Sequence, residues 1–282
     1  MTRRQFGHFG IMTAAAALTG AAKPKMINSK IHGVSIGAQT YSFRDMTLEG
    51  CIAAMKEIGL GEAELYNGHI EPKDQTALAA WRKDPPLDQM REVRRKFDDA
   101  GIELYALNYS FREEWPDQEL DAGFRIAQAM GVKYITASSN VSTARRIAPL
   151  ADKYKIIVAF HNHSNMAPDE FARPADFEKA IALSPMIGIN LDIGHFVAAG
   201  FDPVSFLEQH HDRIVTLHIK DRKKNQGPAT PFGEGDTPIK PVLQVLKNKR
   251  YPIPANIEYE YKGTDTIAEV RKCFEYCKAA LR

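Results

Sequence analysis

Several features of well-known protein classes are missing from this 282-residue chain. Three cysteines are too few for the disulfide scaffold of a small secreted domain. No charge of one sign dominates, because 37 basic and 35 acidic residues give a net charge of +2, and residues 23–282 carry 35 of each. Such a chain lacks the broad positive field that holds a nucleic-acid backbone, so we expect no nucleic-acid partner. Charged residues at 26% and aromatic residues at 9% are ordinary for a globular protein and exclude intrinsic disorder.

The N-terminus has the pattern of an export signal. Arg3 and Arg4 precede an uncharged stretch, 9–22, that is rich in Ala, Gly and Thr. This stretch is shorter than the roughly 20 apolar residues of a membrane helix, so we expect no stable membrane insertion. The paired arginines, with a phenylalanine two positions later, resemble the twin-arginine signal of bacteria. We predict a twin-arginine signal peptide over residues 1–22, a linker over 23–30, and an exported, periplasmic protein.

From residue 34 onward, short β-branched runs alternate with segments of helical spacing. In these segments apolar residues recur every three or four positions, as at Leu48, Ile52 and Met55. Gly59 follows the first such segment, where a left-handed helix end is common. The runs predicted as strands are Val34–Gln39, Glu62–Tyr66, Ile102–Asn108, Lys133–Ala137, Ile156–His161, Ile187–Asp192, Ile214–Ile219 and Ala255–Glu260.

Eight strand–helix units in roughly 250 residues predict a (β/α)8 TIM barrel, an α/β fold. A doubly wound open sheet is the alternative. The first strand-to-helix turn, residues 41–45, has no glycine-rich phosphate loop, which favours the barrel. No linker rich in Gly, Ser or Pro divides the chain, so we predict a single domain over residues 31–282.

The three cysteines lie in the first and last helical segments, with Cys51 in the first and Cys273 and Cys277 in the last. The first and last helices of a closed barrel are neighbours, so a bridge from Cys51 to either partner is possible in an oxidising compartment. Buried free thiols are the favoured prediction, because unpaired cysteine behaves as a small apolar residue.

Polar side chains recur on one face of several predicted strands. Alternate residues of a strand face opposite sides, and the apolar set Val215, Leu217 and Ile219 must meet the helices. The residues of inward parity include Glu64 in the second strand, His161 and His163 at the fifth, Asn190 and Asp192 in the sixth, His218 and Lys220 at the seventh, and Glu258 and Glu260 in the eighth. Burying unpaired charges costs several kcal/mol, so these groups need a partner.

One divalent metal ion would supply that partner. His161, Asp192, His218 and a glutamate of the last strand lie near the carboxyl ends of their strands, where barrels of this type place their active sites. Mixed imidazole and carboxylate ligands suit Mn, Co or Zn better than Mg. A hydrogen-bonded polar core without metal is the alternative.

Four motifs in this order resemble the xylose isomerase-like TIM-barrel family. They are Asp192-Ile193-Gly194-His195, His218-Ile219-Lys220-Asp221, Phe232-Gly233-Glu234-Gly235-Asp236 and Asn256-Ile257-Glu258-Tyr259-Glu260. The family includes sugar phosphate isomerases and epimerases, ketose 3-epimerases and inosose dehydratases. The resemblance covers residues 31–282 and specifies a small carbohydrate substrate, but no particular sugar.

The resemblance implies a metal held by Asp192, His218 and Glu258, together with a residue after the fifth strand. Most epimerases of the family have Glu-Asn-His at that point, whereas this chain has His161-Asn162-His163. We assign His161 as the fourth ligand, and the substitution calls the symmetric two-glutamate mechanism into question. Glu260 is then the acid/base candidate, although the two eighth-strand glutamates can exchange roles.

Other predicted functional residues complete the proposed site. Glu64 and His163 are further candidates for the base. His195, Lys220, Asn108 and Trp115 are predicted to contact the substrate. Trp81 and Phe111 are further aromatic candidates for stacking on a sugar, and Arg222, Lys223 and Lys224 are predicted to form a solvated basic loop.

These residues predict a metal-dependent sugar isomerase or epimerase that transfers a proton beside a carbonyl through an enediolate. A lyase or dehydratase acting on a keto-sugar, keto-inositol or keto-glycoside is the alternative, because it shares the enediolate and then expels a substituent. A non-catalytic sugar-binding barrel is a third possibility.

Overall fold

The computed structural model describes residues 24–282, so the predicted signal peptide lies outside the described residues. Eight parallel strands form the centre of the structure: β1 Val34–Gln39, β2 Glu62–Tyr66, β3 Glu103–Asn108, β4 Tyr134–Ala137, β5 Ile157–His161, β6 Ile187–Asp192, β7 Ile214–Ile219 and β8 Ala255–Ile257. Neighbouring strands pair in chain order, and β1 pairs with both β2 and β8. The sheet is therefore a closed barrel, and the predicted single-domain (β/α)8 fold is confirmed.

Helices surround this barrel. Those in the described part of the chain are α1 Leu48–Ile58, α2 Gln75–Lys83, α3 Leu87–Ala100, α4 Asp117–Met130, α5 Ala144–Tyr154, α6 Pro174–Ile181, α7 Ile193–Ala198, α8 Pro203–His210, α9 Ile239–Lys249 and α10 Thr266–Leu281. Two connections hold an extra helix: α2 and α3 both follow β2, and α7 and α8 both follow β6. None of these helices is long and apolar enough to span a bilayer.

Helix α1 shows how the local sequence sets the ends of an element. The Thr47 hydroxyl accepts a hydrogen bond from the Gly50 N–H at 3.1 Å and so caps the first turn. Gly59 ends the helix with φ +92°, the left-handed conformation that glycine adopts without steric cost. Between these ends, Cys51 and Met55 are fully buried. Capping and the apolar face therefore agree, as the spacing predicted.

The last strand is shorter than predicted. It ends at Ile257 and not at Glu260. The Glu258 N–H still donates to the Ile219 carbonyl at 3.0 Å, but the Tyr259 N–H donates to the Ser42 hydroxyl at 2.9 Å. The chain thus leaves the ladder at this point because a side chain of the neighbouring loop replaces the strand acceptor.

The cysteines are buried free thiols, as favoured from the sequence. Cys51 lies on α1, while Cys273 and Cys277 lie on α10. Burial raises the pKa of the Cys51 thiol far above its ordinary value and raises the pKa of Cys273 to about 12. All three therefore behave as apolar core residues.

The chain that precedes β1 packs on the amino-terminal end of the barrel. The Ile27 N–H donates to the Gly101 carbonyl at 2.8 Å, and the Ser29 hydroxyl accepts from the Gly61 N–H at 3.0 Å. The short strand Lys30–Ile31 then pairs antiparallel with the start of β1. These contacts cover the barrel end opposite to the strand termini that carry the polar residues.

The loop after β7 is organised by one buried carboxylate. Asp221 is 2% exposed. One of its oxygens accepts from the N–H groups of Gly233 and Gly235 at 2.8 and 3.0 Å, and the other accepts from the Thr237 N–H at 3.1 Å. The carboxylate thus ties the glycine-rich motif to the end of the barrel.

We expect Asp221→Ala to lower the free energy of unfolding by about 2–3 kcal/mol, because three backbone donors lose their common acceptor. Urea denaturation of the purified protein measures the change. Asp236→Ala is the matched control: this exposed residue accepts one backbone bond, from Lys224, in the same loop. We expect it to cost below about 1 kcal/mol. Equal costs for both variants would contradict the role assigned to Asp221.

Candidate metal centre and active site

Four ligand-type side chains meet at the carboxyl end of the barrel. His161 ends β5, Asp192 ends β6, His218 lies near the end of β7, and Glu258 directly follows β8. All four are buried, and one ligand atom from each lies within 4.8 Å of those of the others. These residues, called the ligand cluster below, include the three ligands that inward parity predicted and the glutamate that the family resemblance favoured.

The facing atoms of the ligand cluster lack hydrogen-bond partners among the described residues. They are Nε2 of His161, Oδ2 of Asp192, Nδ1 of His218 and Oε2 of Glu258. His218 Nδ1 lies 3.0 Å from Glu258 Oε2 and His161 Nε2 lies 3.5 Å from Asp192 Oδ2, but neither pair has hydrogen-bond geometry. Lys220 Nζ makes ionic contacts with Asp192 Oδ2 and Glu258 Oε2 at 3.0 and 2.9 Å, but neither imidazole nitrogen has a hydrogen-bond partner among the described residues. Buried polar atoms are seldom left unpaired, so their convergence with two carboxylate oxygens fits a bound cation.

The local charge gives the same indication. Three carboxylates (Glu64, Asp192 and Glu258) and one ammonium, that of Lys220, are buried here, each at most 7% exposed. A divalent cation would neutralise the two remaining negative charges. Two imidazole and two carboxylate donors suit Mn, Co or Zn. The residues present therefore fit a divalent metal ion.

Glu64 contacts the ligand cluster through His218. Its carboxylate lies 2.9 Å from His218 Nε2 and accepts hydrogen bonds from Gln39 at 2.6 Å, Thr136 at 2.5 Å and Asn256 at 3.0 Å. A proton on His218 Nε2 leaves the lone pair of Nδ1 free for a cation. Glu64 does not line the cavity described below, although the sequence made it a candidate base.

A proton and a metal ion compete for the His218 imidazole. Burial alone would lower its pKa, but the carboxylates of Glu258 and Glu64 hold the pKa well above its usual range. In the metal-free protein, a proton on this imidazole offsets part of the excess negative charge. A bound metal ion must displace that proton, because only the neutral imidazole is a ligand.

Lys220 lies among the carboxylates and not in the cavity wall. Its Nζ is 3.0 Å from Asp192, 2.9 Å from Glu258 and 2.8 Å from Glu260. Burial alone would lower the pKa of Lys220, but these three carboxylates raise it above its ordinary value. The side chain predicted to contact substrate is therefore a buried ammonium that holds Glu260 beside the ligand cluster.

His195 is held by its surroundings on three sides. Its backbone N–H donates to the Asp192 carboxylate at 2.6 Å. Its ring nitrogens lie 3.1 Å from Lys220 Nζ and 2.6 Å from Arg222 Nη1. Burial, together with the charge of Lys220, lowers the pKa of His195 well below its usual range. The preceding Gly194 allows this packing, since a Cβ there would lie 2.7 Å from the Lys220 carbonyl oxygen.

Arg222 differs from its prediction as part of a solvated loop. Besides its contact with His195, it donates to the Ser164 hydroxyl at 2.9 Å and to the Gly227 carbonyl. Two of these partners could not be read from the sequence, because His195 and Ser164 lie 27 and 58 residues away from Arg222 in the chain. Arg222 thus supports His195 and has no free edge for a phosphate.

A cavity of about 580 Å³ opens above the ligand cluster. Residues predicted to act on substrate that line it are His163, Glu260, Asn108 and Trp115, together with His161, His218 and Glu258. Burial and the charges of His161 and Lys220 lower the pKa of His163 to about 4. Its imidazole is therefore neutral near neutral pH and able to accept a proton.

The three aromatic residues predicted to contact a sugar differ in whether they line the cavity. Trp115 lines the cavity, whereas Phe111 is fully buried and stacks on Phe124 at 5.5 Å between ring centroids. Trp81 is on α2, packs against the apolar core and does not line the cavity. Arg82, which sequence reasoning missed, lies beside Trp81 and does line it. Which of two adjacent residues faces a cavity depends on how α2 docks.

Comparison with known proteins identifies the chain's relatives. The family described as xylose isomerase-like TIM barrel matches residues 52–279. L-ribulose-5-phosphate 3-epimerase UlaE of Escherichia coli K12 is 27% identical over 212 residues, which are 72% of this chain and 70% of UlaE.

Solved structures share the fold at lower identity. The apo form of 3-keto-D-glucoside 4-epimerase YcjR from Escherichia coli superposes with a TM-score of 0.67 at 13% identity, covering 87% of this chain and 99% of YcjR. The probable 3-DHS dehydratase AsbF from Bacillus anthracis has a TM-score of 0.66 at 15% identity, covering 86% of this chain and 98% of AsbF. At these identities the likeness shows the fold alone.

The two glutamates that follow β8 provide a direct test of the ligand cluster. We expect the wild-type protein, dialysed against Mn²⁺ or Zn²⁺, to retain one ion per chain. Glu258→Gln should lose most of it, because the variant replaces a charged ligand oxygen with a neutral amide. Glu260→Gln is the matched control and should retain the ion, since Glu260 contacts Lys220 outside the cluster. Elemental analysis of both variants measures the retained metal, and metal loss from Glu260→Gln alone would reverse the assignment.

Glu64→Gln tests whether the Glu64 carboxylate orients His218 for metal binding. The amide keeps the shape of the carboxylate but removes the charge beside His218. We expect a metal affinity about 10- to 100-fold lower, the usual effect of losing a partner that orients a ligand. Titration calorimetry with Mn²⁺ measures it, and an unchanged affinity would contradict the role assigned to Glu64.

Proposed function

This chain belongs to the xylose isomerase-like TIM-barrel family, and from that premise we propose that it is a metal-dependent sugar isomerase or epimerase. One observation carries the proposal: three residues of the ligand cluster, His161, His218 and Glu258, line a cavity whose wall also holds two proton-transfer groups, His163 and Glu260. Sugar isomerisation and epimerisation require a polarised carbonyl and a base beside it. The similarity to an epimerase, UlaE, supports the same class of reaction.

His161, Asp192, His218 and Glu258 would hold the metal ion. When bound, a divalent cation supplies a Lewis acid that polarises a carbonyl oxygen of the substrate. The protein's own contribution is to orient these ligands: Glu64 fixes the His218 ring, and the Asn162 amide donates to the Asp192 carbonyl at 3.0 Å.

His163 and Glu260 reach the cavity from different directions. His163 follows β5 and Glu260 follows β8, and two strands separate β5 from β8 around the ring. Lys220 Nζ lies 2.8 Å from the Glu260 carboxylate, while burial lowers the pKa of His163 and keeps its imidazole neutral. His163 is therefore in the form that accepts a proton from the carbon beside a carbonyl. Removal of that proton by His163, and return of a proton from the Glu260 carboxyl group in its protonated form, would invert that carbon through an enediolate.

A lyase is the second candidate, and the histidine at position 161 favours it. The pair of proton-transfer groups is an imidazole and a carboxylate, not two matched carboxylates. His163, which is neutral, would take the proton beside the carbonyl, and the imidazolium so formed would donate that proton to the departing oxygen on the next carbon. The C–O bond breaks as the C–C double bond forms, so water or an alcohol leaves. The fold is shared with a probable dehydratase, AsbF.

We also propose that residues 1–22 export the protein through the twin-arginine route. The support is the order of Arg3, Arg4, an uncharged stretch and small residues. We expect Arg3→Lys combined with Arg4→Lys to keep the uncleaved chain in the cytoplasm, because the signal depends on the arginine pair. Cell fractionation and mass spectrometry of the N-terminus measure location and cleavage. A double variant that still reaches the periplasm and is cleaved at its N-terminus would overturn this proposal.

Activity assays with ketoses and keto-glycosides in D₂O test the reaction class. An epimerase or isomerase conserves substrate mass apart from exchanged deuterium, whereas a lyase releases water or an alcohol. We expect His163→Gln to lower kcat by about 10²- to 10⁴-fold, the usual contribution of a general acid–base group, without loss of metal. His211→Gln is the control, because this exposed histidine stacks on Tyr251 away from the cavity. Full activity of His163→Gln would exclude the assigned role, and activity without metal would exclude metal dependence.

A further inference from the structure

The cavity has a second wall that contributes nothing to the ligand cluster. The cluster comes from β5–β8, whereas Tyr41, Tyr66, Arg82 and Trp115 line the cavity from the half of the barrel that includes β1–β3. Tyr41 follows β1, Tyr66 ends β2, Arg82 lies on α2, and Trp115 precedes α4. These four residues are called the aromatic wall below. The proposed chemistry at the ligand cluster leaves them unused.

Ion pairing and stacking hold the aromatic wall in place. The Arg82 guanidinium donates two hydrogen bonds to the Glu71 carboxylate, each 3.2 Å long, and lies 4.1 Å from the centre of the Trp115 ring. Glu71 also accepts from the Asn67 amide at 2.7 Å. This arrangement fixes the side chain before any ligand arrives, which reduces the entropy cost of binding.

Arg82 retains an unused donor group. Its Nε and Nη2 are bound to Glu71, while Nη1 has no acceptor in the described part of the chain. Tyr41 and Tyr66 pack edge to face with ring centroids 5.0 Å apart. The wall thus offers aromatic surface beside a fixed hydrogen-bond donor. A pyranose ring, with apolar C–H faces and a rim of hydroxyl groups, presents the complementary surface.

The charge of the lining argues against a phosphate group. Its cations outside the histidines are Arg82 and Arg112, and its carboxylates are Glu114, Glu258 and Glu260. Arg82 is already neutralised by Glu71, and Glu258 and Glu260 are paired with Lys220. The charges that remain, Arg112 and Glu114, are exposed and of opposite sign. Much of the remaining lining consists of neutral amides and hydroxyls, including Gln39, Asn67, Gln75, Asn108, Ser110 and Ser138. Neutral donors and acceptors of this kind suit the hydroxyls of an uncharged sugar.

We propose that the aromatic wall binds a second, uncharged sugar ring, so that the substrate is a keto-sugar joined to another sugar. The inference rests on the proposed function for the reacting ring. A cavity of about 580 Å³ lies within the roughly 300–1,000 Å³ of sites that enclose drug-sized ligands, which are larger than one hexose. The ligand cluster binds the reacting ring, and the aromatic wall binds its neighbour.

Equilibrium binding tests this without requiring turnover. The Mn²⁺-loaded protein is titrated by calorimetry with cellobiose, glucose, glucose 6-phosphate and phenyl β-glucoside as probes. We expect cellobiose to bind at least about tenfold more tightly than each of the others, equivalent to about 1.4 kcal/mol. Tighter binding of glucose 6-phosphate would overturn the uncharged assignment. Equal or tighter binding of the phenyl glucoside would overturn the sugar assignment in favour of an aromatic group.

Matched variants locate the second ring. Trp115→Ala and Arg82→Met should each remove the preference for cellobiose over glucose and leave glucose affinity unchanged. Circular dichroism checks that both variants fold, because Arg82→Met leaves the Glu71 carboxylate, whose side chain is 8% exposed, without its ion pair. Trp81→Phe and Lys83→Met are the controls, since both flank Arg82 on α2 and neither lines the cavity. If both test variants retain the preference, the proposal is wrong.

Failure of this inference is distinguishable from failure of the proposed function. A protein that prefers cellobiose but converts no ketose or keto-glycoside keeps the second-ring site and loses the proposed reaction. A protein that converts free ketoses and shows no preference for cellobiose keeps the reaction and loses the second-ring site. Binding alone decides the first question and product analysis alone decides the second.

Discussion

Excess negative charge buried at one end of the barrel is the constraint on which the rest of the site depends. Glu64, Asp192 and Glu258 are removed from water, and Lys220 is the only lysine or arginine buried with them among the described residues. Without a further cation, this arrangement would cost several kcal/mol. A proton on His218 relieves part of the excess in the free protein, and the proposed divalent metal ion would relieve all of it. Folding, protonation of His218 and the proposed metal binding would therefore be coupled.

The surrounding architecture keeps this charge in place. Glu64 binds His218 from beneath, Lys220 joins three carboxylates, and Asp221 anchors the loop that follows β7. Three residues of one motif thus have different roles: His218 belongs to the ligand cluster, Lys220 pairs with the carboxylates, and Asp221 anchors a loop. Strand alternation explains the first two, because residues two apart share a face.

Different strands of the barrel supply the ligand cluster and the aromatic side of the cavity. Strands β5–β8 supply the ligand cluster, while the segments after β1–β3 supply aromatic rings and Arg82. Because parallel strands end at one face, eight separate loops can be specialised without disturbing the closed sheet. The connection after β2 is longer than its neighbours and contains α2, which has no fully buried residue. Arg82 of this helix lines the cavity, while Trp81 packs against the core.

The sequence by itself determined the barrel and much of its floor. Alternation along β7 distinguished His218 from the core residues Leu217 and Ile219, because a strand faces two different environments. The tertiary structure decided the contacts that no local period encodes. Glu64 accepts from residues on β1, β4 and β8, Lys220 reaches the loop after β8, and Arg82 of α2 contacts Trp115, which precedes α4. Those partners are far apart in the chain, and only closure of the barrel and docking of α2 bring them together.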